Sequence, residues 1–126
     1  MAKGLRWADA AGAWGLVLLG CVHNFIAAPA SFDAVDANLF EFVAAGLALW
    51  YAGAANVVRQ FAPSRAAIFS CAAVDLSLLA YVVAFGLHNG ELTRPGGMFL
   101  VALVATETAF ALAQAVGLVS AHTQSA

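Results

Sequence analysis

Four long apolar segments limit what this chain can fold into more than any other feature. Each is close to the ~20 residues that an α-helix needs to cross the hydrocarbon core of a bilayer. They cover residues 8–29, 37–58, 66–88 and 97–119. Of the 126 residues, 63% are hydrophobic and only 10% are charged, whereas about a quarter of a typical soluble domain is charged. The sequence therefore predicts an all-α integral membrane protein, a single domain over residues 1–126 with four transmembrane helices in a bundle.

The segments between these runs contain residues that end helices. Pro29, Pro63 and Pro95 each fall at or between the ends of apolar runs, with aspartates or glycines nearby. Proline interrupts an α-helix because it has no backbone N–H and its ring clashes with the preceding turn. We therefore expect two helical hairpins.

The first segment also has features of a secretory signal peptide. Lys3 and Arg6 precede the apolar run, which ends in an Ala-x-Ala pattern at Ala28 and Ala30. The run is longer than the ~7–15 residues of a usual signal core. We therefore expect it to be retained as the first transmembrane helix.

Basic residues are distributed unequally between the two sides of the predicted bundle. Lys3, Arg6, Arg59 and Arg65 fall on the side of the termini, and Arg94 alone falls on the other. The excess of Lys and Arg on cytoplasmic segments then predicts cytoplasmic N and C termini. We expect a multi-pass protein of a bacterial inner membrane.

Small residues recur at every fourth position on two of the predicted helices, which favours close helix packing. These positions are Ala44, Ala48 and Ala52, and Ala105, Ala109, Ala113 and Gly117. Such stripes suit a tight bundle, a homodimer or a larger membrane complex equally well. The net charge is −2 and there is no basic patch, so nucleic acid is not an expected partner.

The two halves of the chain resemble one another at their rare polar positions. A shift of 66 residues aligns four pairs, and His23-Asn24 aligns with His88-Asn89 at a shift of 65. The four pairs are Asp9/Asp75, Gly20/Gly86, Pro29/Pro95 and Glu41/Glu107. This pattern predicts two duplicated hairpins related by a pseudo-two-fold axis along the membrane normal. The polar pairs would then form a zone that opens to the outer side.

Polar residues inside the apolar segments are the candidate site residues. A charge at the centre of a bilayer costs at least about 2.5–3.5 kcal/mol, so such residues usually face the bundle interior and have a function. The candidate ligand-binding residues are His23, Asn24, Glu41, Asp75, Tyr81 and Glu107. Asp75 and Glu107 lie near mid-membrane, where we expect them to be protonated or hydrogen-bonded; the alternative is a purely structural bond between helices. We expect Asp9 to be a helix-capping or interfacial acid.

Several functions fit this pattern. The first is binding or transport of a small hydrophobic or weakly polar ligand, coupled to protons. The second is a membrane-embedded enzyme, such as an isomerase or an epoxide-opening enzyme, that uses His23, Asp75 and Glu107 for acid–base chemistry on a lipid-like, sterol-like or quinone substrate. The third is an accessory subunit of a membrane complex.

No cofactor is predicted, although His23 and His88 would allow haem b as a minor alternative. Cys21 and Cys71 lack metal-ligand spacing, so no metal site is predicted.

Overall fold

The computed structural model describes the backbone of residues 3–124 and the side chains of residues 4–118. The described chain is helical, with four helices that are long and apolar enough to cross a membrane. Helix α1 comprises Lys3–Val22, a π-helical turn at His23–Ala27 and a last α-helical turn at Ala28–Ser31. The next three helices are α2 (Ala37–Phe61), α3 (Arg65–Asn89) and α4 (Pro95–Gln124), with a 3-10 turn at Glu91–Thr93 before α4. The all-α prediction with four such helices is confirmed.

Local sequence signals set the helix boundaries. The Asp36 carboxylate caps α2 by accepting a hydrogen bond from the Leu39 N–H at 2.9 Å, and the Ser64 hydroxyl caps α3 in the same way. Both satisfy backbone donors that have no partner within the helix. Gly90 ends α3 with φ at +70°, a conformation that is costly for other residues. Pro95 begins α4, where its missing N–H has no consequence.

The helices form two hairpins, α1–α2 and α3–α4, which pack together into one bundle. We call the end at which α1 begins, and at which α2 gives way to α3, the termini end. All four helices contribute to the main apolar core. Its buried residues are Leu16, Leu49, Ala52, Leu78, Val82 and Val104.

Large hydrophobic side chains also cover the outside of the bundle. Leu18, Phe25 and Leu87 are each more than 60% exposed. An apolar outer surface of this kind marks contact with a membrane or with other proteins. Together with the length of the helices, it suggests a multi-pass membrane protein.

Glycines allow α1 and α2 to approach very closely. A Cβ atom on Gly20 would lie 2.6 Å from the Gly46 carbonyl oxygen, and one on Gly53 would lie 2.6 Å from the Val17 nitrogen. Neither neighbour is a flexible side-chain end, so neither can move aside cheaply. Neither Gly20 nor Gly53 belongs to a predicted stripe of small residues.

The predicted stripe on α4 faces outward over part of its length. Ala109, Ala113 and Gly117 are exposed. On α2, Ala52 is buried while Ala44 is exposed. Alanine spacing therefore identified helices with small residues but did not identify the faces that pack inside this chain.

We predict that Gly20→Val will destabilise the protein by about 1–3 kcal/mol, because the added side chain forces the α1 and α2 backbones apart. Unfolding of the detergent-solubilised protein measures this loss. Gly117→Val is the matched control, since a Cβ atom there meets nothing within 4 Å. Equal stability of the two variants would contradict the close α1–α2 contact.

Candidate functional site

Buried polar side chains from all four helices meet inside the bundle toward the termini end. Each is at most 1% exposed. We call this group the polar cluster: Asp9 of α1, Asn56 and Arg59 of α2, Asp75 of α3 and Glu107 of α4. Fully buried ionisable groups are rare unless they are paired, so their meeting point is the first candidate for a functional site.

Arg59 makes the central ion pair of the cluster. Its guanidinium donates from Nη2 and Nη1 to the two carboxylate oxygens of Asp9, at 2.5 and 3.3 Å. It also donates from Nε and Nη2 to the side-chain oxygen of Asn56, at 3.2 and 2.7 Å. Asn56 and Arg59 are three residues apart and share one face of α2. Asp9 and Asn56 therefore occupy every nitrogen of the guanidinium.

Asn56 links this ion pair to Asp75 on α3. Its Nδ2 donates to both carboxylate oxygens of Asp75, at 2.9 and 3.0 Å, and to the Ala52 carbonyl at 3.1 Å. The Cys71 thiol lies 3.6 Å from an oxygen of Asp75. A continuous chain of polar contacts therefore runs from α1 through α2 to α3.

Glu107 is the member of the cluster without hydrogen bonds. Neither carboxyl oxygen has a hydrogen-bond partner among the described residues, and the side chain is fully buried. Its nearest cationic group is Arg59, whose Nη2 lies 3.7 Å from Oε2. Gly12 of α1 makes room for this carboxyl, because a Cβ atom there would overlap Oε1. A buried polar group left in this way needs an explanation.

The cluster contains more acid than base. It has three carboxyl groups (Asp9, Asp75 and Glu107) and one guanidinium (Arg59). With all of them ionised, the charge is −3 + 1 = −2. Several kcal/mol are needed to bury each uncompensated ion. The cluster is therefore neutral only when it holds two protons or an equivalent positive charge.

A cavity of about 790 Å³ reaches the cluster from the termini end. Asp9 and Arg59 line it, together with Gln60 and with Gln114 of α4. Gln60 donates to Asp9 at 3.0 Å. The lining also includes the aromatic rings of Trp7 and Phe61, which are 76% and 77% exposed. The exposed Arg6 lines the cavity as well, so solvent or a ligand entering here meets the Asp9–Arg59 pair and a second guanidinium.

Only some of the predicted site residues belong to this cluster. Asp75 and Glu107 do, and both are fully buried. His23 does not, because it lies 11 residues along α1 from Gly12, which is roughly 16 Å of helix. Glu41 is exposed near the start of α2.

The His23-Asn24 pair instead joins α1 to the main chain of α2. Nε2 of His23 lies 3.0 Å from the Phe42 carbonyl oxygen. The imidazole also stacks on the Phe42 ring, with the ring centroids 3.8 Å apart. The Asn24 amide, oriented to suit its neighbours, donates to the Val43 carbonyl at 3.0 Å and accepts from the Leu47 N–H at 3.2 Å. We call these contacts the His-Asn clamp.

Two local features allow the clamp to form. The π-helical turn over His23–Ala27 accommodates an extra residue in the turn and so alters the direction of its side chains. Gly46 of α2 leaves room, because a Cβ atom there would overlap Asn24 and clash with His23.

The second His-Asn pair has different surroundings. His88 and Asn89 are exposed at the end of α3, and Asn89 donates only to the Phe85 carbonyl of its own helix, at 3.1 Å. His23 and His88 thus differ in burial and contacts.

Tyr81 lies in a second, apolar cavity. This groove between α2 and α3 has a volume of about 590 Å³. Its lining includes Ala48, Tyr51, Ser77 and Tyr81. Both tyrosines are about half exposed, at 60% and 48%, so the groove faces the outside of the bundle rather than the polar cluster.

Sequence reasoning missed three members of the cluster. Asp9 was expected to be a helix-capping or interfacial acid, and that expectation is wrong because the side chain is buried and paired with Arg59. Arg59 was counted only as a flanking charge, and Asn56 only as a general polar partner. A usable signal was present, because Asn56 and Arg59 are three residues apart at the end of the second apolar run and so share one face of a helix.

The two acidic pairs of the predicted internal repeat differ in whether both members are buried. Asp9 and Asp75 are both buried in the cluster. Glu107 is buried, whereas its counterpart Glu41 is exposed. The duplication stays a prediction.

Comparison of the chain with family models, curated proteins and solved structures finds no match. The function is therefore argued from the residues and their geometry alone.

We predict that Arg59→Met will destabilise the protein by about 3–5 kcal/mol, because it leaves Asp9 and Glu107 buried without their cation. Arg65→Met, at the exposed start of α3, is the control and should change stability little. Adding Asp9→Asn to Arg59→Met should recover part of the loss in the same unfolding measurement. A double variant no more stable than the single one would contradict the ion-pair assignment.

We also predict that Asn24→Leu will lower stability by about 1 kcal/mol, since it removes the hydrogen bonds of the clamp. Asn89→Leu is matched to it, because the exposed Asn89 bonds only within α3. Thermal unfolding of both variants, side by side, measures the difference. Equal stabilities would show that the clamp contributes nothing.

Proposed function

We propose that this protein binds a small, largely hydrophobic or weakly polar ligand within the membrane and transports it in exchange for protons. The observation that carries the proposal is the buried Glu107 carboxyl, which lies in a cluster with more acid than base and has no hydrogen-bond partner within the described part of the chain. In this proposal the protein is an integral bundle in a bacterial inner membrane with cytoplasmic termini. The cavity at the termini end then opens to the cytoplasm.

Charge balance supports a proton-binding role for the cluster. Asp9 is neutralised by Arg59, and Asp75 receives two contacts from the neutral Asn56 amide. Glu107 lies 3.7 Å from the Arg59 guanidinium, which already forms an ion pair with Asp9. A proton on Glu107 removes this poorly compensated charge. Glu107 is therefore the proposed exchangeable proton site.

The size and lining of the cavity support a small-molecule ligand. Its volume of about 790 Å³ lies within the ~300–1,000 Å³ of typical ligand pockets. Its lining combines apolar and aromatic residues with two glutamines and three charged side chains, which are Arg6, Asp9 and Arg59.

The division of charge between the hairpins supports coupling of protons to movement. The α1–α2 hairpin holds the neutral Asp9–Arg59 pair, and the α3–α4 hairpin holds Asp75 and Glu107. The contacts Asn56–Asp75 and Arg59–Glu107 cross between the hairpins. Protonation of Asp75 or Glu107 weakens the attraction of those contacts, so it favours separation of the hairpins. Duplicated hairpins, if related by a pseudo-two-fold axis, would provide two units that rock against each other.

An acid–base enzyme that combines His23 with Asp75 or Glu107 has no such support. His23 is engaged with α2 at the other end of the bundle.

The proton site is tested by infrared spectroscopy of the purified protein. Near neutral pH, where surface carboxyls are ionised, a protonated-carboxyl band should be present in the wild type, and Glu107→Gln should lose part of it. Glu91→Gln is the control, since Glu91 is paired with Arg94 at 2.6 Å on the surface. Its band should match that of the wild type.

The second part of this test measures proton movement in proteoliposomes. With an imposed pH gradient and a pH-sensitive dye inside, Glu107→Gln should abolish ligand-dependent proton movement and Glu91→Gln should not. An infrared spectrum unchanged by Glu107→Gln at every pH would refute the proton-binding role.

A further inference from the structure

We propose that the ligand of the termini-end cavity is a compact organic cation with an apolar body, which binds by displacing the proton of Glu107. This inference rests on the proposed function above and adds the chemical class of the ligand. It joins three observations: the excess of acid in the cluster, the largely occupied N–H donors of Arg59, and the aromatic lining of the cavity.

The hydrogen bonds of Arg59 argue against an anionic ligand. The guanidinium has five N–H donors, and its four hydrogen bonds to Asp9 and Asn56 leave one N–H of Nη1 without a hydrogen bond among the described residues. An anion would therefore find at most one unused donor, and it would add negative charge to a cluster with more acid than base. A neutral ligand supplies no charge that could take the place of a proton. A cation does.

Glu107 is the group with unused capacity to receive a cation. Both of its oxygens are buried and lack hydrogen-bond partners among the described residues. Gln114 lies seven residues further along the same face of α4 and lines the cavity. Its side-chain oxygen and the Asp9 carboxylate mark a polar route from the cavity toward Glu107.

The cavity favours an organic cation over a metal ion. Trp7 and Phe61 line it, and aromatic faces attract organic cations while also packing against their apolar parts. Among the described residues, no three His, Cys, Asp or Glu side chains are arranged to hold a metal. The cavity is also far larger than a single ion requires.

The exchange step conserves charge. Glu107 faces Asp9 of α1, Arg59 of α2 and, on α3, Asp75 with the neighbouring Cys71 thiol. A cation that enters the polar cluster lowers the free-energy cost of ionising a second carboxyl there. The Glu107 carboxyl then releases one proton to cavity water, and its carboxylate pairs with the cation. One positive charge leaves as one enters.

The first test is calorimetry on the full chain in detergent micelles, with benzyltrimethylammonium as the probe. Repeating the titration in buffers of different ionisation enthalpy counts the protons released. We expect about one proton per cation and an affinity that rises by up to about tenfold per pH unit while the proton is being displaced. Neopentylbenzene, the neutral analogue of the same shape, should bind at least about tenfold more weakly and release no proton.

Paired variants locate the site. Glu107→Gln should remove proton release and lower affinity for benzyltrimethylammonium by about tenfold or more, whereas Glu91→Gln should change neither. Trp7→Ala should lower affinity by about three- to tenfold. Trp14→Ala, at a half-exposed residue outside the cavity lining, should leave it unchanged. If Glu107→Gln does not fold, the comparison of Trp7→Ala with Trp14→Ala tests the site instead.

Three outcomes would overturn the inference. Equal binding of neopentylbenzene without proton release would exclude a cation, and competition by sodium chloride at the same concentration would replace an organic cation with an inorganic one. Absence of binding by either probe would also refute it. If the infrared signal of Glu107 persists in any of these cases, the proton site survives and only the ligand class is wrong.

Discussion

The position of one buried guanidinium determines the arrangement of the polar residues in this bundle. Arg59 lies on the face of α2 that points into the bundle, and it contacts Asp9 of α1 and approaches Glu107 of α4. Without it, the carboxyls of α1 and α4 would have no reason to be buried at the same place. A buried ion pair adds little net stability, but removal of one partner is costly. Arg59 therefore specifies how the helices are arranged more than it holds them together.

Helix length and number were predictable from the sequence because the physical requirement behind them is simple. A chain that crosses hydrocarbon must satisfy its backbone hydrogen bonds internally, and an apolar run of about 20 residues does so as a helix. Asp75 and Glu107 were found for a related reason, since an acid in the middle of such a run needs a partner inside the bundle.

Asp9 and Arg59 were missed because they lie near helix ends. There a charged side chain normally extends to the interface, and apolar length alone does not set the tilt and rotation that bury it instead. The His23-Asn24 pair was predicted to bind a ligand, and its partners in the structure are the backbone groups of Phe42, Val43 and Leu47. Every residue has such groups, so the sequence contains no sign of which ones will be used.

The distribution of charge between the hairpins also has a consequence for how the protein is made. The α1–α2 hairpin is synthesised first and contains both Asp9 and Arg59, so it can enter a bilayer with its charges matched. The α3–α4 hairpin brings Asp75 and Glu107 with no Lys or Arg inside its apolar runs. If both were ionised and unpartnered, their insertion would cost about 5–7 kcal/mol. Insertion of the second hairpin therefore depends on protonation of these two carboxyls or on the presence of the first hairpin beside it. The order of synthesis is then part of the folding mechanism.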